Sequence, residues 1–236
     1  YYGLLLVVIV LALFLKPKLA FWVSLGIPIS FMGGFWLMPV LGVSINMLSL
    51  FTFILVLGIV VDDAIVVGEN VTLFRERGME PREAAIKGAT QVATPVFFAV
   101  LTTMATFSPM LAVEGTIGAI WRIFPLITIS VLFWSLFESL TILPTHLAHS
   151  SDKKSKTPWI RSVSDKWDNF QTKIKDGLSS FVDSYYKPVL YKSVNRPFTF
   201  LSVAASVFIL TIGIIGGGII KFSFFPPIEA DLAIGT

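Results

Sequence analysis

The chain alternates between long apolar runs and short polar connections, a pattern that predicts helices crossing a membrane. A bilayer core requires about 20 apolar residues in helical form, and backbone groups in lipid must be hydrogen-bonded within their own segment. Six runs are predicted to be membrane-spanning helices, the first of them short: residues 1–15, 19–46, 46–74, 88–113, 117–147 and 197–220. The predicted fold class is an all-α membrane protein, a polytopic transmembrane helix bundle.

The long polar connection at residues 150–196 has a helical pattern of its own. It opens with a lysine-rich stretch that predicts a flexible linker. Apolar residues then recur at spacings of three and four, which defines one face of an amphipathic helix: Ile160, Val163, Trp167, Phe170, Ile174, Leu178, Phe181 and Tyr185. We expect this surface helix to lie along the inner membrane surface, and packing on a soluble partner is the alternative.

Composition supports lipid as the solvent of most of the chain. Of 236 residues, 55% are apolar and only 14% are charged, whereas soluble domains carry roughly 25% charged residues. The absence of cysteine excludes disulfides, thiol catalysis and cysteine-based zinc sites. The two histidines, His146 and His149, are too few for a metal cage. We therefore expect neither a metal nor a cofactor.

The distribution of Lys and Arg orients the predicted helices. Sixteen of these residues lie in connections on one side of the bundle, and only Arg122 and Lys221 lie on the other. Cytoplasmic connections carry such an excess of positive charge, so the sixteen mark the inner side. The net charge of +3 is thus explained by topology, and no binding of nucleic acid is expected.

Asp62 and Asp63 are the candidate working centre, because they place two carboxyl groups deep in the third predicted helix. They lie sixteen residues or so after Asn46, which is about 24 Å along a helix. A carboxylate at such depth costs roughly 2.5–3.5 kcal/mol. Two of them are tolerated only if they face protein or water, pair with cations, or take up protons. We predict proton exchange at this pair, and a structural ion pair with a basic residue on another helix is the alternative.

Two further carboxyl groups are secondary candidates for proton translocation. Glu69 follows Asp62 by seven residues and so lies on the same helix face, where it either extends a proton path or is an interfacial carboxylate. Glu138 lies deep in the fifth predicted helix and is expected to face the bundle. It either titrates or accepts hydrogen bonds, and we favour the structural role.

Hydroxyl groups and glycines in the predicted spans have simpler interpretations. One set of hydroxyls either lines a polar seam or bonds to its own helix backbone, and the second is favoured: Thr102, Thr103 and Thr106. One set of glycines is expected to mark close helix packing: Gly33, Gly34, Gly58 and Gly68.

The residues around the aspartates resemble a known family. Ser44-Ile-Asn-Met-Leu-Ser-Leu-Phe, followed by Gly58-Ile-Val-Val-Asp-Asp-Ala-Ile-Val-Val-Gly-Glu-Asn, is similar to the aspartate-bearing helix of resistance–nodulation–division (RND) exporters. The segments that begin at Gly78, Phe107 and Leu143 also fit this family. The likeness is to the hydrophobe/amphiphile efflux branch, because no methionine ladder typical of metal exporters runs along the helices.

The resemblance covers essentially the whole chain and implies the second to seventh helices of a twelve-helix protomer. It implies a homotrimer in the bacterial inner membrane, working with a periplasmic adaptor and an outer-membrane channel. Asp62 and Asp63 would carry protons, and a lysine from the second half would neutralise them. The implied organisation comprises five transmembrane helices, a cytoplasmic linker with the surface helix, a sixth transmembrane helix and the start of a periplasmic domain: residues 1–149, 150–196, 197–220 and 221–236.

The function implied is proton/substrate antiport that exports drugs or other amphiphilic compounds, without enzymatic activity. A proton-driven protein-export motor of the related secretion type is the alternative. An intramembrane aspartyl protease would require carboxylates on separate elements that share a proton, whereas adjacent aspartates on a helix point about 100° apart. A passive channel is disfavoured because the polar residues cluster at one depth.

Overall fold

The computed structural model describes residues 2–149 and 158–220, and all regular secondary structure in these residues is helical. The α-helices are α1 Tyr2–Phe14, α2 Pro17–Leu37, α3 Met47–Glu76, α4 Pro81–Phe107, α5 Gly115–Trp121, α6 Ile123–Phe137, α7 Leu143–His149, α8 Pro158–Phe181, α9 Lys187–Asn195 and α10 Pro197–Gly216. A 3-10 turn, Ser108–Ala112, follows α4, and π-helical turns form at Glu138–Ile142 and Val182–Tyr186. Of the predicted linker, 150–158, all but Pro158 lies outside the described residues, as does the predicted periplasmic start at 221–236.

Five helical segments are long and apolar enough to cross a membrane: Pro17–Leu37, Met47–Glu76, Pro81–Ala112, Gly115–His149 and Pro197–Gly216. The first predicted span forms a shorter apolar helix, α1, of 13 residues. The predicted all-α transmembrane fold is therefore confirmed. One boundary was wrong, since α2 ends at Leu37 and the chain turns at Gly42, whose φ is +67°. A glycine accepts this left-handed conformation without strain.

Local capping explains where α3 and α4 begin. The Asn46 side chain accepts a hydrogen bond from the Ser49 amide at 2.9 Å, and the Ser49 hydroxyl accepts one from the Asn46 amide at 2.7 Å. This reciprocal pair satisfies backbone donors that a helix start would leave unbonded. Gly78, with φ +84°, reverses the chain after α3, and Pro81 occupies the first turn of α4, where its missing amide is harmless.

The chain divides into two compact units, with the boundary between Ile174 and Lys175, and the structure describes residues 2–149 and 158–174 of the first and 175–220 of the second. In the first unit α3 is central and contacts α2, α4, α6 and α7. Its buried apolar side chains belong to two clusters. One joins α3 to α2, α4 and α7, and the other joins it to α4 and α6 around Phe53, Val56 and Val131. The second unit contains the end of α8, the π turn after it, α9 and the apolar helix α10.

Contacts at the predicted inner end tie several elements of the first unit together. Lys16, between α1 and α2, pairs with Glu76 of α3 at 2.9 Å. Arg75 Nη1 donates to the Leu147 carbonyl of α7 at 3.2 Å. The ion pair is half exposed, so it contributes little stability. The pair places the start of α2 beside the end of α3.

The predicted amphipathic helix is present as α8 and the π turn after it. Most of its described apolar side chains are exposed, including Trp167, Phe170, Leu178 and Phe181, whereas Ile174 is half-buried. Gln171, by contrast, is only 7% exposed. Its amide donates to the carbonyls of Ala12 and Leu15 at 2.5 and 2.8 Å. A polar side chain of the surface helix thus satisfies carbonyl groups that the end of α1 leaves unbonded.

Candidate functional site

The two aspartates of α3 lie in different environments. Asp63 is 8% exposed, whereas Asp62 is exposed at the surface of the described residues. The difference follows from helix geometry, because successive residues point about 100° apart. Asp63 Oδ2 is buried and has no hydrogen-bond partner among the described residues. Neither aspartate takes part in the ion pairs Lys16–Glu76 and Lys187–Asp183.

The packing of α3 on α2 sets the depth of Asp63. The two helices are antiparallel, and the Leu19 side chain of α2 lies against Gly68 of α3. Moving five residues along each helix from this contact brings Asp63 level with Ser24. The Ser24 hydroxyl is also buried without a hydrogen-bond partner among the described residues. A carboxyl and a hydroxyl with unused bonding capacity therefore lie at the same depth.

Glu138 is buried more completely than either aspartate. It is 3% exposed and opens the π-helical turn between α6 and α7. Its carboxyl group lies directly on the backbone of α2 at Gly26, where an added Cβ would be 2.5 Å from Glu138 Oε1. The prediction that Glu138 faces the bundle is correct. Only glycine leaves room for the carboxyl at this point of α2.

The packing of α6 on α2 extends the set of buried polar groups. The helices are antiparallel, with Gly34 against Val131 and Gly26 against Glu138. Ser30, between the two glycines, is consequently at about the level of Ser135. Both serine hydroxyls are buried and lack a hydrogen-bond partner among the described residues.

These side chains form what we call the buried polar layer: Ser24, Ser30, Asp63, Ser135 and Glu138. Asp63 is level with Ser24 and Glu138 with Gly26, so the two carboxyl groups differ in depth by about two residues of helix, or about 3 Å. They belong to different helices, α3 and the π turn after α6. The layer collects buried polar groups from four elements, α2, α3, α6 and the π turn, over about 9 Å of helix length from Ser24 to Ser30.

Glu69 lies outside this layer. As its spacing from Asp62 predicts, it shares the exposed face of α3 with that aspartate, and both side chains are exposed. Gly58, one turn before Asp62, has no heavy atom within 4 Å of an added Cβ. The prediction of close packing at Gly58 is therefore wrong within the described residues, whereas Gly33, Gly34 and Gly68 do contact neighbouring helices.

The threonines of α4 do not form a polar seam. Each hydroxyl donates to a carbonyl one turn earlier in its own helix: Thr102 to Phe98 at 2.7 Å, Thr103 to Ala99 at 2.9 Å and Thr106 to Thr102 at 2.8 Å. The favoured interpretation is confirmed. Within the described residues no group of three His, Asp or Glu side chains is placed to hold a metal.

Sequence reasoning missed the serines of the buried polar layer. It also missed the contact of the Glu138 carboxyl group with the backbone of α2 at Gly26, which we call the seat of Glu138. One signal was available for part of this set. Val23, Ile27, Ser30 and Gly34 are buried on one face of α2, and their spacings of three and four could have placed Ser30 toward the bundle. The pairing of Gly26 with Glu138 had no such signal, because it depends on how two distant helices align.

Buried carboxyl groups in the middle of membrane helices define a class of protein. They are costly in an apolar bundle and mark proton relays or ion paths of membrane transport proteins. The chain has this arrangement at Asp63 and Glu138.

Comparison with known proteins gives the family. Residues 1–234 match the AcrB/AcrD/AcrF family, and the chain belongs to this family of RND efflux transporters. The predicted resemblance is thereby confirmed.

Curated relatives share part of the chain. It is 37% identical over 126 residues to the multidrug resistance protein MdtC of Proteus mirabilis, which covers 53% of this chain and 12% of that protein. It is 40% identical over 141 residues to MdtC of Pectobacterium carotovorum, covering 59% of this chain and 14% of that protein. The matched regions are thus a small part of the relatives' length.

Proposed function

We propose that this chain is the proton-translocating transmembrane part of an RND pump that exports drugs or other amphiphilic compounds by proton/substrate antiport. Asp62 and Asp63 bind and release the protons. The observation that carries the proposal is the buried, unpartnered Oδ2 of Asp63 in the middle of α3, beside an aspartate that is exposed.

The contrast between the two aspartates supports a cycle of protonation. A buried carboxylate without a cation or hydrogen-bond donor is costly, and a proton removes that cost. The neighbouring Asp62 is open to the surroundings and can exchange protons with water or with a basic side chain outside this chain. A change of charge at the pair alters which packing of α3 is favourable, and this couples proton flow to movement of the helix.

The charge distribution and the family support a location and an assembly. We assign residues 1–149 to five transmembrane helices, 150–196 to a cytoplasmic connection, 197–220 to a sixth helix and 221–236 to the start of a periplasmic domain. The sixteen-to-two distribution of Lys and Arg supports this orientation in the bacterial inner membrane. A homotrimer that works with a periplasmic adaptor and an outer-membrane channel follows from the family likeness.

The relatives favour small-molecule export over protein export. Their names describe multidrug resistance proteins, and by analogy we assign amphiphilic drugs as the class of substrate. An aspartyl protease is disfavoured by geometry, since the exposed Asp62 and buried Asp63 do not converge on one point. Family membership likewise favours a transporter over an enzyme.

The test measures substrate-dependent proton flux through the full-length transporter in proteoliposomes. Asp62→Asn and Asp63→Asn remove each ionisable group while keeping a similar shape. Glu69→Gln is the matched control, because Glu69 is an exposed carboxyl on the same helix. We expect both aspartate variants to lose flux and the control to retain it, because the proposal assigns proton transfer to the aspartate pair and not to Glu69.

Assembly must be verified for each variant by its elution as the same oligomer as the wild type. Flux that persists in both aspartate variants would contradict the proposal and would make the pair structural. Loss of flux in Glu69→Gln as well would extend the proton path toward the inner surface.

A further inference from the structure

Glu138 is a buried carboxyl group that the proposed function leaves without a role. The Glu138 side chain is only 3% exposed. Among the described residues it has neither a hydrogen bond nor an ion pair. An ionised carboxylate in such a position is costly unless a cation or several donors compensate for it. A structural role as hydrogen-bond acceptor, favoured on sequence grounds, finds no donor among these residues.

The elements packed against Glu138 supply no positive charge at its depth. The π turn contacts α2, α3, α6 and α7. From α2 it meets Gly26, and α6 contains no titratable residue. Near this depth these elements carry Asp62 and Asp63 of α3, of which Asp62 is exposed, and His146 of α7 lies two turns further along the chain.

His146 lies two turns beyond Glu138, toward the predicted inner end. Its ring stacks on Trp22 of α2 at 4.0 Å between centroids and an interplanar angle of 5°. The imidazole is therefore engaged with α2 on the same side of α7 on which the π turn meets Gly26. Along the chain it lies between Glu138 and the end of α7 at His149.

The local backbone also singles out this position. π-helical turns are rare single insertions within α-helices and occur often at functional sites. Here the π turn begins at Glu138 and separates α6 from α7, so the carboxyl sits where the helix departs from its regular form. Gly26 completes the seat by removing the Cβ that would otherwise collide with the carboxyl.

We propose that Glu138 is a second proton-binding site of the bundle, separate from the aspartate pair, whose protonated form holds the π turn against Gly26 of α2. The carboxylate of Glu138 takes up a proton from the aqueous phase, which forms the O–H bond. That bond breaks when the proton returns to the aqueous phase. Loss of the proton leaves an uncompensated charge in the seat, which favours separation of the π turn from α2. This inference rests on the proposed proton-driven function.

The direct test is infrared difference spectroscopy of the full-length transporter in lipid, comparing acidified with alkalinised samples. A protonated carboxyl has a C=O band that its ionised form lacks. We expect Glu138→Gln to lose one band that appears on acidification in the wild type, and Glu69→Gln to leave that band in place. The band should persist in the Asp62→Asn/Asp63→Asn double variant, because the site is separate.

A second variant tests the seat on α2. Gly26→Ala places a methyl group where the carboxyl lies, so we expect the frequency of the Glu138 band to shift. Gly177→Ala is the control, since an added Cβ there meets nothing within 4 Å, and it should leave the band unchanged. An unchanged band in folded Gly26→Ala would overturn the assigned seat.

The proposal is overturned if the spectra of Glu138→Gln and wild type coincide, or if the Glu138 band does not change with pH. Either outcome leaves the aspartate proposal intact, because that proposal is tested by flux. Conversely, flux that persists without the aspartates would refute the proposed function while the Glu138 band still reports on its own site.

Discussion

At the scale of single residues, glycines decide how closely the helices of this bundle approach. The contact of α3 with α4 is an example, because an added Cβ at Gly88 would lie 2.7 Å from the Cα and 2.8 Å from the amide nitrogen of Val71. The Asn70 side chain donates to the Gly88 carbonyl at 2.7 Å at the same place. The backbones of α3 and α4 are therefore in direct contact at this point, and a hydrogen bond joins the two helices.

Gly88→Ala is expected to destabilise the protein by about 1–3 kcal/mol, the usual cost of overpacking. The obstructing atoms belong to the Val71 backbone and cannot rotate away as a side chain would. The measurement is thermal unfolding of the purified full-length transporter in detergent.

Gly58→Ala provides the comparison for this prediction. Gly58 lies in α3, and its added Cβ meets no heavy atom within 4 Å in the described residues. The substitution should be neutral or gain up to about 1 kcal/mol from helix propensity. Equal destabilisation by the two variants would show that the close approach at Gly88 does not govern stability.

At the scale of elements, hydrogen bonds of one side chain join the predicted surface helix α8 to α1. Gln171 donates to two carbonyls at the end of α1, those of Ala12 and Leu15. It is buried, although most of the described apolar side chains of α8 are exposed. Through these two hydrogen bonds the Gln171 side chain ties α8 to the end of α1.

Gln171→Ala is expected to loosen the end of α1, because it leaves two carbonyls without their donor at a cost of about 1–3 kcal/mol. Hydrogen–deuterium exchange should become faster at the amides of Leu15 and Ala20. Asn169→Ala is the control, since Asn169 is exposed on the same helix. Unchanged exchange in Gln171→Ala would mean that other contacts hold the two helices together.

At the scale of the whole molecule, charge asymmetry predicts how the bundle is inserted. Labelling of single cysteines in a cysteine-free background of the full-length transporter tests the orientation. In intact cells a membrane-impermeant maleimide should label Ser44→Cys and Thr116→Cys, both exposed positions at the outer ends of the bundle. It should label Glu83→Cys, at the opposite end, only after permeabilisation.

Labelling of Glu83→Cys in intact cells, with protection of the other two, would show the reverse orientation. The proposed assignment of 150–196 to the cytoplasm would then fail together with the periplasmic assignment of 221–236. The proton-binding proposals would remain, because they concern the depth of carboxyl groups and not the direction of insertion.

The sequence alone was sufficient for the class of fold, the family and the aspartate candidates. Apolar runs of helical length have few alternatives in lipid, because every backbone group must be bonded within its segment. A charged pair in such a run stands out for the same energetic reason. Local helix geometry also predicted that the threonine hydroxyls of α4 bond to carbonyls of their own helix. It likewise predicted that Asp62 and Glu69 share one face of α3.

Other features depended on how separate helices align. Which aspartate is buried, where α2 ends and which glycines meet a neighbour could not be read from one helix. The buried polar layer and the seat of Glu138 on Gly26 arise from the antiparallel packing of α2 with α3 and α6. Periodicity specifies the face of each helix, whereas the depth at which two faces meet depends on packing between residues distant in sequence, such as Leu19 with Gly68 and Gly26 with Glu138.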